Sequence, residues 1–444
     1  MKTIKIFGLL VLIVAIAGLW IIGCTGEGVY DTTPQPTISV NPTVSPSPTI
    51  TSTISPSPTG TSVPGETLKQ LISSRANVFN IGINGSYLYW VEKSSTPEGA
   101  VYRIKSDGSG TKETIITGLN NPSALGFSTD DGKTYLFVSS SEGSTGAIIQ
   151  RVSLDDSGFP SVQLTAGSSG SIPYMVVAGS IFYTRNVGGS DSSFSMVDAF
   201  PDVTPAQPDD IYTSLTNAYD LKIFSGGITS STTKTFALVT ERVSSGDVLM
   251  FDLSNTAVLP IQPTVIASGM QKPTKVTFQP DFESDNSTPV VPMSGYVYWT
   301  NYDASSGQVR RQKVKWDTTT NSLVLDGSNQ IVAQALLYPY DIKVPNDVAS
   351  GSLRGSLDKV FVSSNVSEVN GGNWYVIDVS NSSNFPLNPS SSGITDLMAT
   401  TAAYPLNGII SYTSNLVTNY FTDYNDSTSG NNDGGIYYFR KNLQ

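Results

Sequence analysis

The segment Gly295-Tyr-Val-Tyr-Trp-Thr-Asn-Tyr302 is dense in aromatic and β-branched residues. After a polar loop, Gln308-Val-Arg-Arg-Gln-Lys-Val314 carries on the alternation of apolar and polar positions. Two such runs flanking a Ser/Gly turn predict a β-hairpin. Weaker copies recur along nearly the whole chain. Each begins with a phrase, often centred on Pro, that leads into a strand: Arg75-Ala-Asn-Val78, Asn120-Asn-Pro-Ser123, Ser171-Ile-Pro-Tyr174, Asn217-Ala-Tyr-Asp220, Gln271-Lys-Pro-Thr274, Tyr338-Pro-Tyr-Asp341 and Ala403-Tyr-Pro-Leu406. Their spacing of roughly 45–65 residues fits the blade period of a propeller once loop insertions are allowed. A second apolar run follows each phrase, as in Tyr87-Leu-Tyr-Trp-Val91, Phe236-Ala-Leu-Val239 and Lys359-Val-Phe-Val362. A third comes after a Gly/Ser loop, as in Ala100-Val-Tyr-Arg-Ile104 and Trp374-Tyr-Val-Ile377. Asp often closes the third run, as at Asp252 and Asp378, and a fourth, such as Glu113-Thr-Ile-Ile116 or Pro263-Thr-Val-Ile266, completes most units.

Four antiparallel strands cannot enclose a core alone, but units packed around an axis bury both faces. The last unit stops after its third run, and Thr67-Leu-Lys-Gln-Leu-Ile72, ahead of the first unit, is available as its fourth strand. Pairing the two ends in one blade removes the open sheet edge that otherwise invites aggregation. The predicted fold is all-β: a single β-propeller over residues 66–444, with seven four-stranded blades and the last closed by an N-terminal strand. Six blades is the alternative if Ser171 to Ser214 is an insertion. Tyr298-Trp-Thr-Asn301, Tyr89-Trp-Val-Glu92 and Tyr420-Phe-Thr-Asp423 resemble the Tyr-Trp-Thr-Asp repeat of low-density-lipoprotein-receptor-type propellers. Arg103 followed by Asp107-Gly108 resembles that family's third strand and turn. The resemblance runs from about residue 66 to 441; that family typically has six blades, against seven phrases here. It implies a propeller used for protein or ligand contact, with no inherited reaction.

The N-terminus has a different pattern. Met1-Lys-Thr-Ile-Lys5 is basic and Ile6 to Ile22 is almost unbroken apolar sequence, the arrangement of a secretory signal peptide over residues 1–23. A retained membrane-spanning helix is the alternative. Ile21-Ile22-Gly23-Cys24 resembles the lipobox of bacterial lipoproteins. That resemblance implies cleavage after Gly23, a diacylglyceryl group on the Cys24 sulfur and acylation of the new amino terminus, palmitate being the expected type of chain. Two or more acyl chains make a stable anchor where one is marginal. The expected location is the bacterial cell envelope, facing the periplasm or the exterior, with Thr25 leaning towards the outer membrane. Residues 24–65 form a Pro/Ser/Thr-rich tether, typified by Val44-Ser-Pro-Ser-Pro48 and Ile54-Ser-Pro-Ser-Pro58. Frequent Pro and little apolar content leave it without a packed core, as a semi-extended spacer reaching up to roughly 100 Å.

Composition narrows the chemistry. The 444 residues carry a net charge of -11, with 25 Lys and Arg against 36 Asp and Glu and no basic cluster beyond the first residues, which argues against a nucleic-acid partner. Histidine is absent, where ordinary usage of roughly 2% would give about nine. This removes Ser-His-Asp and Cys-His nucleophiles, an imidazole base and His-ligated metals. Cys24 is the only cysteine, so no disulfide forms within the chain.

The tyrosines of the blade-opening phrases, Tyr174, Tyr219, Tyr338, Tyr340 and Tyr404, are the candidate ligand-binding residues. In a propeller these segments lie near one mouth of the channel, where phenol rings can stack on sugars or hold a peptide. Packing between neighbouring blades is the favoured reading of them. Trp90 and Trp299 are expected to fill space between blades. Asp423-Tyr-Asn-Asp-Ser427 with Asn431-Asn-Asp-Gly434 offers oxygen ligands for calcium but lacks the spacing of a calcium loop, and reads as a solvated hairpin. Asp130-Asp131, Asp155-Asp156 and Asp209-Asp210 read as turns rather than as a glycosidase pair. No catalytic residue, metal or cofactor is expected. The expected protein is a monomeric, lipid-anchored propeller that binds a protein or glycan partner without chemistry. A glycan-active propeller enzyme drawing on carboxylates such as Asp220 and Asp341 is the competing class, and a scaffold for a surface assembly the third.

Overall fold

The computed structural model of the chain describes residues 69–72, 77–93, 99–142, 146–187, 190–227, 233–280, 294–344, 358–365, 372–397, 405–413, 416–423 and 435–442. The leader 1–23, Cys24, the tether to residue 65, Tyr404 and the loop residues 424–434 lie outside the described residues. The repeated alternation resolves into seven antiparallel sheets. Blade 1 comprises Val78–Asn84, Tyr87–Glu92, Gly99–Lys105 and Glu113–Leu119. Blade 2 comprises Leu125–Asp130, Lys133–Glu142, Gly146–Ser153 and Ser161–Gln163. Blade 3 comprises Ser171–Ala178, Ser180–Asn186, Ser192–Asp198 and Asp209–Leu215, so this stretch is a full blade and the six-blade alternative falls. Blade 4 comprises Ala218–Gly226, Lys234–Glu241, Ser244–Asp252 and Thr264–Gln271. In blade 5, Pro273–Pro280, Ser294–Asn301 and Gly307–Asp317 are followed by an outer edge divided between Ser322–Leu325 and Gln330–Leu336. Blade 6 comprises Pro339–Lys343, Lys359–Asn365, Gly372–Asp378 and Ile394–Asp396. Blade 7 comprises Pro405–Thr413, Leu416–Asp423 and Gly435–Asn442, and Lys69–Ile72 is its fourth strand, pairing Lys69 with Tyr438 and Ile72 with Ile436.

The first strand of each blade touches the first strand of the next, including blade 7 with blade 1, so the blades form a closed ring. The apolar core is divided in the same way. Six of the seven buried clusters each span one junction between neighbouring blades, and the seventh, between blades 3 and 4, also takes in Tyr302 of blade 5 and Tyr340 of blade 6. Trp299 is buried between blades 4 and 5, and Trp90 between blades 7 and 1, as expected from their place in second strands. At 25–30 cal/mol per Å² of apolar surface removed from water, these junctions rather than the separate sheets supply the driving force.

Three recurring devices fasten the junctions. The first is a fully buried hydroxyl near the end of the second strand: Ser139, Thr184, Thr240, Thr300, Ser363 and Thr422. In blades 2 to 5 it donates to a carbonyl on the first strand of the following blade: Ser139 to Ile172, Thr184 to Tyr219, Thr240 to Thr274 and Thr300 to Tyr340. The same oxygen commonly accepts an amide from its own first strand, as from Asp220 to Thr240, Lys275 to Thr300 and Asp341 to Ser363. A hydroxyl suits this place because it is donor and acceptor at once. Blade 1 has Val91 at the position, directly opposite Asn80, and makes no such bond.

The second device is a glycine that opens the third strand. A β-carbon at Gly307 would strike the ring of Pro339 and the Leu336 carbonyl, and one at Gly372 would strike Pro405. The proline of each blade-opening phrase and the glycine of the preceding blade's loop are thus two halves of one contact.

The third is a sandwiched arginine. Arg103, Arg151 and Arg311 stand directly opposite Tyr89, Phe137 and Tyr298. Each guanidinium lies between a tyrosine of its own blade and a phenylalanine from the loop of the following blade. The pairs are Tyr87 and Phe159 at 4.4 and 5.1 Å, Tyr135 and Phe200 at 5.3 and 4.9 Å, and Tyr296 and Phe385 at 4.3 and 4.7 Å. Cation–π attraction and the packing of the flat guanidinium both favour this arrangement. Blade 3 has Met196 in the equivalent register, opposite Phe182, and Leu259 of blade 4 belongs to the same cluster as Met196, an apolar version of the joint.

Candidate binding site at the channel mouth

The first strands carry one residue per blade at the level where the ring is fastened, and several of these are polar and buried. Asp220 accepts the Val276 amide at 2.9 Å and pairs with the Lys275 ammonium at 3.3 Å, both on the next blade. Asp341 accepts the Gly408 amide of the next blade at 2.8 Å, its neighbour's amide from Ile342 at 2.9 Å, and the Lys343 ammonium at 2.9 Å. Asn407 donates to the Phe79 carbonyl of blade 1 at 2.5 Å. The innermost strand of a sheet has an unpaired edge, and these side chains satisfy it. Asp220 is thereby held by two donors and Asp341 by three.

Tyr174, Tyr219 and Tyr340 come together, as their places in the blade-opening phrases suggested. The Tyr174 ring lies 5.2 Å from that of Tyr219, and the Tyr219 hydroxyl bonds to that of Tyr340. The Tyr174 hydroxyl is 3.4 Å from the Tyr340 hydroxyl and donates to the Asn407 side-chain oxygen at 3.5 Å, so blade 3 reaches blades 6 and 7. All three tyrosines are buried. Burial pushes the phenols of Tyr174 and Tyr340 well above their ordinary range, so both remain protonated and act as hydrogen-bond donors, not bases. The Lys275 ammonium lies 3.5 Å from the Tyr174 ring centre. Tyr338 is not part of the trio; it packs on Tyr302 at 5.2 Å. Tyr174, Tyr219 and Tyr340 thus pack on one another from blades 3, 4 and 6, across the ring rather than between neighbouring blades alone.

The polar residues beside these tyrosines escaped the reading of the blade-opening phrases. One position past each Tyr-Trp-Thr-Asn-like run, the backbone N–H is tied to a carbonyl at or just before the start of the first strand: Lys93 to Asn77, Ser141 to Asn120, Arg242 to Asn217, Tyr302 to Lys272 and Asn365 to Leu337. These bonds fix a rim position in each of five blades whatever its side chain. At this rim, the Arg242 guanidinium lies 4.6 Å from the Tyr219 ring, 4.8 Å from Tyr302 and 5.8 Å from Tyr340. Burial works against its charge, but Tyr219, Tyr340 and Tyr302 outweigh that and keep it protonated. Lys93 lies 4.7 Å from the Phe79 ring; burial lowers its pKa, with Tyr219 acting in the opposite sense. Among the described residues, neither cation has a carboxylate within ion-pair distance. Deeper in, burial lowers Lys222 to about 8, helped by the charge of Lys343 and opposed by Asp220 and Asp341. A chain with a net charge of -11 thus gathers Lys275, Lys222 and Lys343 around two carboxylates, with Lys93 and Arg242 against aromatic rings at the rim. The signal that could have found the rim is the residue after Glu92, Glu241 and Asn301 in the repeat.

The paired acids sit elsewhere. Asp131 is in a turn with φ 47°, and Asp155 and Asp156 follow the third strand of blade 2, bonding to the Thr134 amide and to Ser153 and Lys133. Asp209 and Asp210 do not form a turn: they begin the outer strand of blade 3, where Ser195 donates to Asp210 at 2.6 Å. A shallow cavity of about 210 Å³ lies at the other end of the strands, between blades 5 and 6, lined by Gln279, Tyr296, Tyr298, Arg311 and Asp358. Among the described residues, no group of three or more acidic or thiol side chains is placed to hold a metal.

No family model matches the chain, and no curated protein matches it. Solved structures of low identity are similar in fold. The WD40 β-propeller domain of Doa1 is 11% identical, with 85% of this chain and 98% of that one covered and a TM-score of 0.45. YCF48 bound to D1 peptide is 10% identical, covering 86% and 96%, with a TM-score of 0.47. A putative 6-phosphogluconolactonase from Bacteroides uniformis is 14% identical, covering 78% and 91%, with a TM-score of 0.42.

Proposed function

We propose that this chain is a lipid-anchored, extracytoplasmic β-propeller that binds a protein or small ligand at the channel mouth without catalysis. The observation that carries the binding role is the rim itself, where Lys93, Arg242 and Tyr302 stand on a backbone held by bonds that do not depend on their side chains. The non-catalytic part rests on Asp220 and Asp341, whose oxygens are committed to the next blade's amides and to lysines. Glycoside hydrolysis needs two carboxyls free to exchange protons across one bond. The absence of histidine removes the commonest alternative bases. The anchor and the location follow from Ile21-Ile22-Gly23-Cys24 behind a basic start and an apolar run, and the likeness to Tyr-Trp-Thr-Asp propellers agrees with a contact role.

The test has two parts. Palmitate labelling of the expressed chain should be lost in Cys24→Ala; labelling that persists removes the anchor at this residue. The detergent-solubilised full chain should leave a glycan panel intact, whereas turnover abolished by Asp220→Asn or Asp341→Asn would make it an enzyme. Crosslinking in intact cells then identifies the partner.

A further inference from the structure

Two cations at the mouth are partly desolvated with no counter-charge among the described residues. Partial burial of an unpaired guanidinium or ammonium is unfavourable, and a fold normally answers it with a carboxylate. Among the described residues, Arg242 meets the faces of Tyr219, Tyr302 and Tyr340 within the distances given above, and Lys93 the face of Phe79. Ring faces stabilise a cation but leave its N–H donors unused. The tyrosines also restrict how Arg242 can turn, which lowers the entropy lost when its fork grips a planar anion. The aromatic cage is already filled by a cation, so a cationic ligand is excluded from it. Lys93 and Arg242 occupy equivalent rim positions on blades 1 and 4, each held by the same backbone bond; Arg242 lies over Tyr219, and Lys93 lies over Phe79, which packs against the cluster that contains Tyr219.

We propose that the mouth takes a carboxylate-bearing ligand, gripped by the Arg242 fork and reinforced by Lys93, with Tyr302 and Tyr338 as the apolar wall beside it. This deepens the binding role proposed above and rests on it. The acidic remainder of the surface selects against extended polyanions, so a ligand with few negative charges suits the site better than a nucleic acid. An acidic peptide segment is the source to which the tyrosine-lined wall is best suited.

Fluorescence anisotropy of fluorescein-labelled tetra-glutamate, titrated with the detergent-solubilised full chain, tests this. Binding should exceed that of labelled tetra-glutamine by about tenfold or more and weaken with added salt. Lys93→Gln and Arg242→Gln should each reduce it by about tenfold or more, with Arg242→Lys intermediate because a point charge replaces the fork. Lys93 makes a single ring contact, so Lys93→Gln is read at an unchanged unfolding midpoint even if Arg242→Gln unfolds. Equal binding of the two peptides overturns the proposal, as does retention of tetra-glutamate by a folded Lys93→Gln Arg242→Gln chain. If tetra-glutamate fails but a cellular crosslink is lost in the same rim variants, the binding role stands and the carboxylate falls. If turnover appears on the glycan panel, the binding role itself falls.

Discussion

Thr300→Val tests whether the buried hydroxyl joint holds neighbouring blades together. The Thr300 oxygen accepts the Lys275 amide at 3.1 Å within blade 5 and donates to the Tyr340 carbonyl of blade 6 at 3.0 Å, and the side chain has no exposed surface. Valine keeps the β-branched shape and removes the polar atom, so packing changes little. Each lost neutral bond is worth about 1 kcal/mol net, and stranding a buried amide or carbonyl costs about 1–3 kcal/mol. Relaxation of the two strands offsets part of this, and the expected loss is about 2–4 kcal/mol. That is large beside a total stability of about 5–15 kcal/mol. Urea unfolding of the full chain, followed by far-UV circular dichroism and tryptophan fluorescence, measures it, provided the two probes coincide. Thr300→Ser keeps the hydroxyl and loses one methyl, so it should cost less than valine. The reasoning fails if valine lies within about 0.5 kcal/mol of the parent, or if serine costs as much as valine, because packing would then carry the joint. Val91→Thr in blade 1 is the reverse experiment and should gain up to about 1 kcal/mol.

Three further outcomes follow from the same geometry. Lys222→Met should stabilise the fold at pH 7 by an amount on the order of 2 kcal/mol. In the parent, the unfolded chain holds the Lys222 proton more tightly than the folded one. Stability should therefore rise between about pH 8 and the ordinary lysine range, then fall as unfolded tyrosines ionise while Tyr174 and Tyr340 stay protonated in the fold. Loss of most of that rise in Lys222→Met checks the assignment, with Lys93 leaving a smaller rise of the same sign. Gly307→Ala should cost about 1–3 kcal/mol by thermal denaturation, because its β-carbon meets Pro339 and the Leu336 carbonyl. Arg311→Ala should lose about 3 kcal/mol, whereas Arg311→Met with Phe385→Leu should recover most of it, because Met196 and Leu259 already belong to one cluster between blades 3 and 4.

Much of the fold was legible because each blade solves the same local problem. The alternation of Tyr296-Val-Tyr-Trp-Thr300 specifies a strand buried on both faces, and the Pro and Gly of successive units mark two sides of one contact. Closure by Lys69–Ile72 was also readable, because a blade of three strands leaves an edge that an unclaimed apolar stretch can fill. The arginine sandwiches were not readable in this way. Arg103 and Phe159 are far apart in sequence, and only the ring brings one blade's guanidinium under the next blade's loop. Asp209 and Asp210 misled for a related reason. An Asp pair near Pro suggests a turn locally, but Ser195 across the sheet supplies a partner that makes a strand acceptable.

The candidate site follows from the same distinction between what a repeat must keep and what it is free to change. Thr184, Thr240, Thr300 and Thr422 recur because their position must supply a donor and an acceptor to buried backbone. Two residues further on, the rim position asks only for a backbone N–H, which any residue but proline provides. Its side chains accordingly differ from blade to blade: Lys93, Ser141, Arg242, Tyr302 and Asn365. A scaffold that fixes the backbone through its own N–H and does not require one side chain there can vary that side chain for recognition. Tyr174, Tyr219 and Tyr340 form the packed group beside which the rim stands. Tyr219 and Tyr340 serve both, bonding to each other below and presenting their rings to Arg242 above. A change at either tyrosine therefore disturbs packing and recognition together, whereas Lys93 is the one cation of the pair whose removal reports on recognition alone.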